Sequence, residues 1–172
     1  GRYCMASTWY SLVSQKLYLA QVLIREFDQP TTSNAASTGL PAAVIGEARS
    51  QAVAEVLLRA RDVLLTMVAR LHQKKTETPH SLAELKALFD YDVAEVETLD
   101  SLAQQRDSWW NHLVQLDKAL GQPPAQKKTV SADNIIAVAA GEGPDRSLQA
   151  LEQTRAAMAI FARELEERHG EW

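Results

Sequence analysis

Arg106-Asp-Ser-Trp-Trp-Asn-His112 is the segment whose residue types could carry a reaction. A guanidinium grips a phosphate through paired hydrogen bonds, and an imidazole moves a proton near neutral pH. An Arg and a His on one short segment therefore suggest phosphoryl chemistry, with Arg106 holding the phosphate and His112 transferring the proton. The same residues also have a structural reading. Arg106 would lie along the edge of an apolar stripe and pair with a carboxylate, while His112 sits on a solvated face. Arg163 and His169 repeat the spacing elsewhere in the chain, so the spacing by itself has little specificity.

Arg106, the polar Asp107 that follows it, and His112 resemble the signature of HEPN-domain ribonucleases. That resemblance covers seven residues. It implies a helical bundle, a ribonuclease or toxin-type domain, that dimerises to set two Arg/His pairs on one RNA phosphate. The formal net charge of -4 weighs against it, because RNA affinity rests on neutralising phosphates with Lys and Arg. No nucleic-acid partner is expected.

Carboxylate–histidine pairs offer a second chemistry. Di-iron bundles draw Glu-x-x-His from two helices and one Glu from each of two others. Glu166-Glu-Arg-His169 has this spacing at the C-terminal end, and Glu77-Thr-Pro-His80 has it in a Pro-containing linker. Glu26, Glu47 and Glu55 have no His one turn away, and Glu164, Glu166 and Glu167 read more simply as a solvated face. No metal ligand and no cofactor are expected. The single Cys4 excludes a disulfide framework and a multi-Cys zinc site. There is no Gly-x-Ser-x-Gly elbow, and Gly141-Glu-Gly143 reads as a turn.

The elements that must position these residues are helical. Apolar residues recur at i, i+3 and i+4 along most of the chain, which is the pattern of an amphipathic helix. The first stripe runs Trp9, Leu12, Val13, Leu17, Ala20, Leu23, Ile24 and Phe27, and the second from Ile45 to Leu71. Ser81-Leu-Ala-Glu84 and Asp92-Val-Ala-Glu95 are capping-box patterns. The spacing predicts an all-α, single-domain bundle of four long helices, about 8–28, 41–73, 93–120 and 145–169. Short helices are expected near 81–89 and 133–140, the latter capped by Asp133, and Asp145 is expected to cap the last long helix. No strand is expected, since Lys128-Thr-Val130 stands alone. Residues 1–7 are expected as a disordered tail, with Met5 as a candidate start, and 8–172 as the bundle.

The 172 residues are 46% hydrophobic and 23% charged, ordinary for a soluble globular domain. No uninterrupted apolar run, Ile135 to Ala140 included, is long enough to span a bilayer. No membrane association is expected, and the protein is read as cytoplasmic. Adjacent residues on a helix face different ways, so one of Trp109 and Trp110 should be core and the other partly exposed. Trp9, Trp109 and Trp110 are the candidate partner contacts, because an exposed Trp makes a strong anchor.

Met5-Ala-Ser-Thr-Trp9-Tyr10, followed by Gln15-Lys16-Leu17-Tyr18-Leu-Ala20, resembles the N-terminal helix of a family of uncharacterised helical proteins from Pseudomonas-like gammaproteobacteria. Ser108-Trp109 with Leu113, Leu116 and Pro123 is similar to a later segment of that family. The resemblance covers about the first 125 residues and implies a bacterial, cytoplasmic helical protein; it brings no activity. The sequence thus points to a non-enzymatic protein acting through protein contacts, as a homodimer or a regulatory adaptor. The alternatives are the HEPN-like ribonuclease using Arg106 and His112, and a binder of a small apolar ligand lined by Met67, Trp109 or Met158.

Overall fold

A computed structural model describes residues 5–29, 39–123, 126–131, 134–139 and 143–169. Six helices are described: α1 (Met5–Asp28), α2 (Ala42–Leu71), α3 (Leu82–Ala87), α4 (Ala94–Gln104), α5 (Trp109–Leu120) and α6 (Leu148–His169). Together they form one all-α bundle. Helix α1 begins at Met5, inside the stretch expected as a tail, and residues 1–4 lie outside the described residues.

Helix α2 is the axis of the bundle, with α1, α3, α5 and α6 all packing against it. Its 30 residues span about 45 Å. Val63 to Ala69 are buried without interruption, including Thr66. A helix that is apolar all round belongs in the centre of a core, and this half of α2 occupies that place. Val13, Leu17, Ala20 and Ile24 of α1 meet it from one side. Leu113 and Leu116 of α5, with Leu151, Met158, Phe161 and Leu165 of α6, complete the same core. Arg61 is buried within α2 and donates to the Asp117 carboxylate of α5 at 2.9 Å. This bond satisfies a charge that would otherwise be costly to bury.

The end of α2 is set by a Schellman turn. Lys74 N donates to Ala69 O at 2.9 Å and Gln73 N to Arg70 O at 3.1 Å, with Gln73 at φ 66°. Glycine is the usual residue at this left-handed position, where a Cβ is strained. Gln73→Gly is therefore expected to raise stability by about 0.5–1 kcal/mol, read as a higher urea midpoint. A lower midpoint would show that the Gln73 side chain makes a contact worth more than the strain. The Arg70 guanidinium secures the turn by donating to Lys74 O (2.7 Å) and Glu77 O (2.5 Å), and it lies 5.2 Å from the centre of the Trp9 ring.

The helix expected over 93–120 is two helices. Gln105 takes extended backbone at ψ 119°, and Ser108 opens α5 by accepting from Asn111 N at 3.1 Å. The Ser108 hydroxyl also donates to Leu102 O at 2.5 Å, which binds the end of α4 to the start of α5. A short side-chain hydroxyl that can serve backbone groups in this way competes with helix continuation. Three caps also differ from expectation or extend it. Val93, not Asp92, is the N-cap of α4, and it makes no side-chain cap bond. Ser147, not Asp145, caps α6 by accepting from Ala150 N at 3.2 Å, while Asp145 accepts from Ser147 N. At α3 the box forms in modified shape: Ser81 accepts from Glu84 N, and Glu84 reaches back to His80 N.

The short helix expected near 133–140 is a strand. Strands β1 (Gln126–Ser131) and β2 (Asn134–Ala139) pair antiparallel, from Gln126 opposite Ala139 to Ser131 opposite Asn134. Ile135, Ile136 and Val138 are β-branched, and such residues lose rotamer freedom in a helix and favour a pleated strand. Lys128-Thr-Val130, expected to stand alone, supplies the partner strand. Asp133 lies outside the described residues. Among the described residues, no helix is long and apolar enough to cross a membrane.

Candidate functional site

Two constellations bring polar side chains together. The first is a cleft of about 730 Å³ between the start of α5 and the start of α6, lined by Arg106, Trp109, His112, Asp145 and Thr154 among others. Arg106 is exposed in the α4–α5 connection, where its carbonyl accepts from the Asn111 amide at 3.0 Å. Both ring nitrogens of His112 are engaged: Nε2 lies 2.8 Å from Asp145 O and Nδ1 lies 2.5 Å from Thr154 Oγ1. A carbonyl can only accept, so the Nε2–H donates to it and Nδ1 accepts from the threonine hydroxyl. His112 thus fastens the loop before α6 to α5. That position leaves neither nitrogen free for a proton transfer in this arrangement.

The tryptophans resolve into different roles. Trp110 is buried in the core, with its remaining edge in a cleft beside Arg61, His80 and Val114. Trp109 is half-buried, with its ring centre 5.4 Å from that of Phe161. Trp9 is half-buried beneath the Arg70 guanidinium. Met67 and Met158 have no exposed surface and do not line the cleft beside Trp109.

The second constellation joins His72, Glu95 and His169 at one end of the bundle. His72 is the C-cap of α2, Glu95 sits in the first turn of α4, and His169 ends α6. Each histidine takes one carboxylate oxygen. His72 Nε2 is 2.8 Å from Glu95 Oε2, and His169 Nε2 is 2.6 Å from Glu95 Oε1. The two imidazoles meet edge to face at 5.6 Å, and Phe89 stands edge to face with His72 at the same distance. Tyr91 packs on Phe89, and Lys74 Nζ lies 5.7 Å from the Phe89 ring centre.

Glu95 is 2% exposed. A buried carboxylate survives only if it is paired and hydrogen-bonded. Its position in the first turn of α4 adds the favourable end of the helix dipole. The His72 hydrogen bond, helped by His169 and outweighing the opposing effect of burial, holds the Glu95 carboxyl down at about 2, from an ordinary 4.5. One donor atom from each residue falls within 4.8 Å of the other two, which makes these three the residues placed to share a ligand. His169 stands out in the sequence by its spacing from Glu166, yet its partner is Glu95, 74 positions away. Glu95 carries the spacing of a capping residue, and nothing in the sequence singles out His72.

No curated protein and no solved structure matches the chain. Residues 5–172 match the model of a protein family, DUF6586, described as a family of unknown function. With nearly its whole length matched, the chain belongs to the family of unknown function DUF6586.

Proposed function

We propose that this chain is a non-enzymatic helical protein that works through protein contacts, and that its first partner is a second copy of itself. The observation that carries this reading is the outer face of α1. Tyr18, Leu19 and Val22 are 63%, 43% and 44% exposed there, side by side at helical spacing. Scattered exposed apolar residues are ordinary, but a contiguous group on one helix face marks an interaction surface. A two-fold contact presents the same patch from both copies. Antiparallel pairing of two such helices lays Tyr18, Leu19 and Val22 of one copy against the same residues of the other. The engaged ring nitrogens of His112 favour this reading over a reaction at Arg106 and His112.

Size-exclusion chromatography with light scattering tests it. Wild type is expected at twice the 19.0 kDa of one chain. Leu19→Glu with Val22→Glu is expected to elute as a monomer with an unchanged helical circular-dichroism spectrum, because both residues face solvent. A variant that stays dimeric would move the contact off α1, and a monomeric wild type would remove the reading.

A further inference from the structure

We propose that His72, Glu95 and His169 form a binding site for a zinc-like divalent cation, with the fourth coordination position left open. The donor set is the first reason. Two imidazole nitrogens and one carboxylate oxygen are ligands that suit zinc, and three protein ligands leave one position for water or another donor. Spacing is the second. A tetrahedral ion about 2.0–2.1 Å from each ligand sets neighbouring donors roughly 3.4 Å apart. The donor atoms here lie within 4.8 Å of one another, with the nearest pairs at 2.6 and 2.8 Å, so side-chain adjustments of about an ångström admit the ion.

Positioning is the third reason. The three ligands come from the ends of α2, α4 and α6, so the bundle itself holds them. Both histidines turn Nε2, the usual metal-binding atom, toward one carboxylate. On binding, the cation takes the place of the two Nε2–H protons, and each imidazole can carry its proton on Nδ1 instead. The side chains of His72 and His169 are 21% and 28% exposed, which gives the ion a route in, while Glu95 stays buried as the inner ligand. Phe89 packs edge to face on His72 and His72 on His169, which holds the imidazole rings beside the centre. This site lies apart from Tyr18, Leu19 and Val22 in residue make-up, so its test does not depend on self-association.

The test is calorimetric titration of tag-free, chelator-treated full-length protein with zinc chloride, repeated on His72→Gln and His169→Gln. The expected result is one zinc per chain. At zinc 100-fold above the dissociation constant, the melting temperature should rise by about 5–10 °C. Each variant should weaken binding by about 100-fold or more. His169→Gln alters only the final residue of α6, so it separates loss of a ligand from loss of the fold. Cobalt offered in place of zinc should give the visible absorption of a four-coordinate centre in wild type and lose it in both variants. No stoichiometric zinc binding would overturn the proposal, as would binding that both variants leave unchanged.

Discussion

Glu95→Gln is expected to destabilise the metal-free protein by about 2–3 kcal/mol at neutral pH. The glutamine keeps the shape but removes the charge, so both charge-assisted hydrogen bonds become neutral ones, and one histidine must shift its proton to Nδ1 to accept from the amide. The loss should also follow the acid limb in a stated direction. The folded carboxyl sits at about 2, below its ordinary 4.5. Its ionisation therefore stabilises the fold fully above about 4.5, and the contribution disappears as pH falls from there toward about 2. One pH-unit difference in proton affinity is worth about 1.4 kcal/mol, so the ceiling on this contribution is about 3 kcal/mol. Urea unfolding of both proteins with chelator present, at several pH values from neutral to acid, measures it. The gap between wild type and variant should narrow as the pH drops through that window. A gap under about 0.5 kcal/mol, or one indifferent to pH, would mean that the two histidines do not clamp the carboxylate.

Trp110→Ala should cost about 3–5 kcal/mol, and Trp109→Ala clearly less. Trp110 is buried in the same core as Leu113 and Leu116, and truncating it leaves a cavity that neighbouring helices can only partly close. Trp109 presents part of its ring to the surface, so its removal exposes Phe161 rather than opening a void. Denaturant midpoints of the two variants decide the point. Equal costs, or the reverse order, would contradict the assignment of Trp110 as the core member of the pair.

Particular residues show how much of this was legible in the sequence. The stripes on α1 and α2 were readable because burial repeats at the helical period, and Val13, Leu17, Ala20 and Ile24 are core as the spacing predicts. The division of 93–120 was not readable from apolar spacing, since Leu102, Trp110 and Leu113 stay in phase across it. The break depends on one hydroxyl, Ser108, reaching both Leu102 O and Asn111 N. The hairpin was missed because Ile135, Ile136 and Val138 also fit a helical pattern, and only their β-branched side chains pointed the other way. Of the adjacent tryptophans, periodicity predicted that one would be core but could not say which.

The His72–Glu95–His169 cluster was the least legible feature. Its members stand 23 and 74 positions apart, each at the end of a different helix. Periodicity describes the faces of helices, whereas this cluster is made by where three helices stop. The Schellman turn at Gln73 places His72, and the length of α6 carries His169 to the same end of the bundle. Arg106 and His112, the pair with the more suggestive spacing, do line one cleft, but the loop before α6 takes up both nitrogens of His112.

We propose that this protein acts through contact between its own copies, across the exposed face of α1. Sedimentation velocity of the untagged wild-type chain over a wide dilution series tests it most directly. The expected result is a species of twice the 19.0 kDa chain mass that gives way to monomer on dilution. A single monomeric species at every concentration would contradict it.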